Sequence, residues 1–142
     1  MSRAELQKFA EERIRDAEIL LKAGQWQGAY YLSGYAVELG LKSCVLAYIE
    51  KTGMIFKDRK YLQELPKCWT HSLEELLGLA GLKVKRDADA GANADLFASW
   101  GTVGLWTESS RYEQKTKDQA QAIYNAITHP EYGVLQWIRQ NW

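Results

Sequence analysis

Between Gly24 and Gly53 the chain reads QWQGAYYLSGYAVELGLKSCVLAYIEKT, a stretch without proline that is apolar on most of its sides. A helix with that pattern cannot lie on a surface with one face in water. It needs neighbours all round, which makes it the central element of a helical bundle. The predicted helix runs from Trp26 to about Lys51, and Gly53 ends it. Two charges, Glu38 and Lys42, sit in its middle, and Tyr30, Tyr31 and Tyr35 crowd the turns before them. A core helix that keeps charges and phenols needs a reason for each.

Around it the sequence supplies further helices. Leu6, Ala10, Ile14, Ala17 and Leu21 form one face of a helix predicted over Arg3–Ala23. Residues 54–70 read as a connection with one helical piece near Asp58–Leu65. Ser72 and Glu75 have capping-box spacing before Leu73, Leu76, Leu77 and Ala80, and Gly81 closes that helix. KVKRDADAGANAD reads as a polar stretch, its Lys83, Lys85 and Arg86 solvated in a loop, leading to a helix near Asn93–Leu105. Thr116 and Gln119 open another helix, with Ala120, Ile123, Tyr124 and Ile127 inward. Thr128 and Glu131 repeat the spacing ahead of Val134, Leu135 and Ile138. Strand signals are almost absent, so the expected fold is all-α, a bundle of about five to six helices in a single domain over residues 1–142.

Eighteen basic and eighteen acidic side chains give zero formal charge. A protein that grips duplex DNA by its phosphates carries a basic surplus, so that class is set aside. The charged N-terminus does not read as a secretory signal, and Glu38 and Lys42 interrupt the one stretch that approaches a membrane span. A cytoplasmic protein with two reduced cysteines, Cys44 and Cys68, is the expectation. Cys68 and His71 make half a zinc site with no second half, so no metal or cofactor is implied. Cys44 lacks a base to activate it as a nucleophile.

Tyr31, Tyr35, Glu38 and Lys42 fall at i, i+4, i+7 and i+11, a single stripe down the central helix. Glu38 precedes Lys42 by four residues, the favourable order for an ion pair. The stripe is either a salt bridge flanked by packed tyrosines or a polar seam facing a cleft or partner.

The segments GAYYLSGYAVELGLKSC, HSLEELLGLAGL, ESSRYE and GVLQWIRQNW, in that order, resemble the HEPN domain family of small helical-bundle proteins. The resemblance covers nearly the whole chain. It implies an up-and-down bundle with this helix at its centre, and either a homodimer or a pairing with a minimal nucleotidyltransferase, in toxin–antitoxin or defence systems. Six tryptophans and eight tyrosines fit an aromatic-rich interface between copies. The ribonuclease branch of the family carries an Arg followed after four to six residues by a His. Here Arg111 is followed at those positions by Thr116, Lys117 and Asp118, so the usual metal-free cleavage is not expected. His71 and His129 read as capping or packing residues. What remains is Arg111-Tyr112, resembling the element of the non-nuclease members. The resemblance implies a nucleotide- or RNA-binding accessory module whose candidate ligand-binding residues are Arg111, Tyr112, Glu38, Lys42, Tyr31 and Tyr35. An arginine suits a phosphate by its fork, and a tyrosine suits a base or ribose by stacking. The alternatives are a ribonuclease with a non-standard site and a purely structural dimeric interaction protein. Arg111 either serves that site or pairs with Glu38 in a buried ion pair that ties its loop to the central helix, and both readings place the two residues near each other.

Overall fold

The computed structural model describes residues 1–142 and contains no strand. Nine helices follow one another: α1 (Arg3–Lys22), α2 (Trp26–Thr52), α3 (Met54–Lys57), α4 (Arg59–Glu64), α5 (Leu73–Leu79), α6 (Lys83–Ala92), α7 (Ala94–Val103), α8 (Lys117–Thr128) and α9 (Val134–Arg139). Two 3-10 turns, Leu65–Trp69 and Glu108–Tyr112, complete the all-α chain. The count exceeds the expected five to six because the 54–64 connection folds as two short helices and because KVKRDADAGA is helical.

Ser2 and Glu5 close a capping box at the start of α1, whose buried face is Leu6, Ala10, Ile14 and Ala17. Gly24, at φ 75°, reverses the chain into α2. The two helices run antiparallel along their lengths. Arg3 bridges Glu50 at 2.9 Å, Gln7 donates to Ser43 at 3.2 Å, and the Leu20 methyl reaches the α-carbon side of Gly28. α2 is the hub: it packs against α1, α5, α8, α9 and the 108–112 turn. Ala36, Val37, Leu39, Gly40 and Leu41 are buried there. By length and mean hydropathy α2 is apolar enough to cross a bilayer despite its two charges, but most of that apolar window is buried within the chain's own bundle.

Caps mark most boundaries. Ser72 accepts from Glu75 N–H at 3.3 Å, while its own N–H goes to Thr70 instead of completing the box. Asn93 caps α7, and Thr116 with Gln119 forms a full capping box on α8. The 128–131 spacing does not open a helix. Thr128 is the last residue of α8, and its hydroxyl turns back to the Tyr124 carbonyl. His129 does cap, its Nδ1 accepting from the N–H groups of Glu131 and Tyr132. Residues 83–92 form α6, where Arg86 and Lys85 find partners elsewhere in the chain. Arg86 makes a fork–fork pair with Glu74 at 2.8 and 2.9 Å and lies over the Trp100 ring, and Lys85 reaches Asn141 at 2.9 Å.

The tryptophans are spent mainly inside the protomer. Trp100, Trp106 and Trp137 are buried, and Trp26 and Trp142 pack against the same core. Trp106 lies flat against Gly34, and any Cβ there would overlap its indole. That close approach seats the chain that follows, because the Trp106 N–H also donates to the Tyr31 carbonyl at 3.2 Å.

Two outcomes follow from this packing. Gly34→Ala should lower stability by about 1–3 kcal/mol in urea melts, as overpacking does where backbone faces a rigid ring. Burial also pushes the Cys44 thiol from 9.0 up to about 12 and the Tyr61 phenol from 10.0 up to about 12. A pKa raised by folding gives stability that is complete below the unfolded value and is lost as pH climbs through the folded one. The urea midpoint should therefore fall progressively between about pH 9 and pH 12, where the unfolded chain ionises these groups and the folded chain resists.

Candidate functional site

Glu38 is the only buried charged side chain, held in place by α2. A carboxylate removed from water is costly unless its oxygens are answered. Both are. Lys42 Nζ donates to Oε2 at 3.2 Å from one turn further along α2, and His71 Nδ1 meets Oε1 at 2.8 Å from just before α5. A carboxylate has no proton to give, so His71 Nδ1 carries the hydrogen and Nε2 becomes the outward nitrogen.

That nitrogen lies 3.7 Å from Glu108 Oε2, and the other oxygen of Glu108 lies 3.3 Å from an Arg111 nitrogen. The result is a run of polar contacts, Lys42–Glu38–His71–Glu108–Arg111, dry at Glu38 and partly exposed at His71, Glu108 and Arg111. The His71 side chain is 45% exposed and that of Arg111 is 44% exposed.

The 108–112 turn is placed by its anchors. Trp106 is locked on Gly34, Ser110 is buried with its hydroxyl on the Thr107 carbonyl, and Gln27 donates to the Arg111 carbonyl. Glu108 and Arg111, three apart on this turn, therefore point to neighbouring positions. Arg111 lies over the Tyr112 ring at 4.8 Å, and Tyr112 itself is 77% exposed. Tyr31 stacks on Tyr35 at 5.9 Å and on Trp106 at 6.0 Å. Burial raises the Tyr31 phenol, and the nearby Arg111 partly opposes that shift.

Beside the seam opens a cleft of about 470 Å³, whose walls include His71, Ser72, Trp100, Trp106, Thr107 and Glu108. The indole nitrogen of Trp100, itself buried, has no hydrogen-bond partner in the fold. A ligand acceptor or a water would satisfy it.

The expected residues are thus only partly united. Glu38 and Lys42 pair, Tyr31 and Tyr35 stack, and Arg111 stands beside Tyr31 and Tyr112. Arg111 does not pair with Glu38. Its partner is Glu108, and His71 occupies the place at Glu38 that the arginine was expected to take. The reason is geometric: the anchored turn holds Arg111 at the rim, whereas the residue before the α5 cap faces α2 directly. His71 and Glu108 are the two members that sequence reasoning missed. Glu108 stands three residues before Arg111, an acid–base spacing that could have been read. The contact between His71 and Glu38 spans 33 residues and had no local signal. Cys68 lines a separate apolar groove, apart from His71, and no three His, Cys, Asp or Glu side chains converge in a metal-binding arrangement.

No protein-family model, no curated protein and no solved structure matches the chain. The class is therefore defined by its geometry: an all-α bundle with a charged seam leading from its central helix to a surface cleft.

Removing a partner of Glu38 leaves its buried charge short of an answer. Lys42→Met should cost about 3–5 kcal/mol in chemical denaturation. Arg111→Ala should leave the denaturation midpoint where it is, because that end of the seam is solvated.

Proposed function

We propose that the chain is a HEPN-like module that binds a nucleotide or an RNA end, acting as a homodimer or as the accessory half of a pair with a minimal nucleotidyltransferase. One observation carries the reading. Arg111 offers a half-exposed guanidinium over an exposed Tyr112 ring, next to a cleft with a buried, unpartnered indole N–H. A phosphate would compete with Glu108 for the arginine fork, and a base would stack on Tyr112 or Tyr31. Lys42 and Glu38 support the site from beneath by fixing His71. The tryptophan content does not by itself argue for the homodimer, since five of the six pack against the protomer's own core. The dimer rests on the family resemblance, and light scattering at twice the 16.3 kDa chain mass would support it.

A second reading is favoured by His71 in particular. With Nδ1 held on a buried carboxylate, its Nε2 is oriented towards the cleft, the arrangement of a general base fixed by an acid. Metal-free RNA cleavage would then run as follows. Nε2 takes the proton of a ribose 2′-hydroxyl, the 2′-oxygen attacks the adjacent phosphorus, and Arg111 faces the charge on the phosphorane. The 5′-oxygen leaves with a proton taken from solvent water, giving a 2′,3′-cyclic phosphate and a 5′-hydroxyl.

Titration calorimetry with ATP, GTP and a short single-stranded RNA separates these readings. Binding should weaken about tenfold or more in Arg111→Ala, the scale of a charge-assisted hydrogen bond. End-labelled RNA should stay intact if the chain only binds. Cyclic-phosphate ends that disappear in His71→Ala would establish the enzyme instead, and no heat with any of the three ligands would end both readings.

A further inference from the structure

On the other side of Lys42 from His71 lies a second concavity that the cleft does not explain. It is a groove of about 380 Å³ between α1, α2 and the Leu65–Trp69 turn, walled by Leu6, Leu39, Leu46, Ile49, Leu65 and Trp69, with Lys42 its one charged wall residue. Trp69 is 84% exposed at its edge. The segment bearing that edge is unusual for an evenly charged chain. Residues 51–69 hold five bases, Lys51, Lys57, Arg59, Lys60 and Lys67, against two acids, Asp58 and Glu64. All five bases are exposed and none forms an ion pair in the structure, although most other cations of the chain do. Asp58 is occupied in capping α4. Phe56, 91% exposed, and Leu62 stand on the same segment.

We infer that this groove is a docking site for an acidic amphipathic helix of a partner protein. Largely aliphatic walls between two helices fit side chains at i, i+3, i+4 and i+7 of an entering helix, and the unpaired Lys51 and Lys67, within two residues of the wall residues Ile49 and Cys68, fit carboxylates on its flanks. The alternatives fit less well. Two aromatic walls, Tyr35 and Trp69, stand among seven aliphatic ones, too few to stack a run of successive bases, which disfavours single-stranded nucleic acid. A concave apolar surface does not lie on a bilayer as a convex one does. A second copy meeting this face across a two-fold axis would set its own surplus of bases against an identical surplus. The inference does not rest on the nucleotide-binding reading, although Tyr35, which stacks on Tyr31, and Lys42, which pairs with Glu38, also wall the groove.

The test is fluorescence anisotropy of the full chain with a panel of labelled helical peptides of about five turns. Each carries Leu, Ile, Met or Phe on one stripe and Glu on the remaining faces. Controls replace Glu by Lys or scramble the stripe, and further arms use a poly-uridine oligonucleotide and vesicles containing phosphatidylserine. At least one acidic striped peptide should bind. That binding should weaken about tenfold or more in Trp69→Ala, and as much in the double charge reversal of Lys51 and Lys67 to Glu, while Arg111→Ala binds unchanged. All three variants alter exposed side chains, and thermal melts confirm that each is folded. Failure of the whole acidic panel up to about 1 mM overturns the inference. So does equal binding of the Lys-bearing peptides, or binding of the oligonucleotide or vesicles that Trp69→Ala abolishes. A dimer that Trp69→Ala converts to monomer would also overturn it, because the groove would then belong to a second copy.

Discussion

A single carboxylate in the most buried helix organises much of this molecule. Glu38 sits where α2 is surrounded by other helices, and an unanswered charge there would be a large penalty against folding. Lys42 answers one oxygen from the same helix, which any helical conformation would permit. His71 answers the other from a distant segment, so the pairing is satisfied only when α5 has docked on α2. The ion pair thereby reports on tertiary structure, and its specificity matters more than any net gain from burying charge. It also fixes the entrance to α5, whose leucines fill the core beside it.

From that buried point the polar groups run outward. Beyond the buried Glu38 the contacts loosen: 2.8 Å at Glu38–His71, 3.7 Å at His71–Glu108 and 3.3 Å for the half-exposed guanidinium against Glu108. Architecture and chemistry thus occupy opposite ends of one seam. The buried end cannot exchange partners without unfolding its surroundings. The outer end can, because water or a ligand phosphate can replace Glu108 with little reorganisation. The Trp106–Gly34 contact holds the outer end in register, since the 108–112 turn begins directly after it.

Zero net charge conceals a division of labour over the surface. The five bases and two acids of residues 51–69 leave the rest of the chain acidic by the same amount. On the acidic remainder, cations are mostly tied into pairs such as Arg86–Glu74 and Arg139–Glu11. On the basic segment they are not. A surplus that is paired is consumed by the fold, whereas an unpaired one projects a field into solvent and remains available to an approaching partner.

The helical class, α1, the extent and central burial of α2 and the caps at Ser72 and Thr116 were legible in the sequence. Each depends on periodicity or on groups a few residues apart, and those interactions are local. The Tyr31–Tyr35–Glu38–Lys42 stripe was legible for the same reason. α6 was not, because KVKRDADAGA has too little apolar surface to mark a helix and is held by Glu74 and Asn141 from elsewhere in the chain. The partner of Glu38 was not legible either. Burial of a carboxylate requires a donor but does not say which, and Arg111 and His71 were both chemically able to serve. The choice between them was made by the path of the backbone: the Trp106 anchor keeps Arg111 at the rim, and docking of α5 brings His71 within 2.8 Å. Sequence alone determined that this helix would need a polar answer at its centre. Only the tertiary structure, by bringing segments 33 residues apart into hydrogen-bond contact, decided that a histidine supplies it.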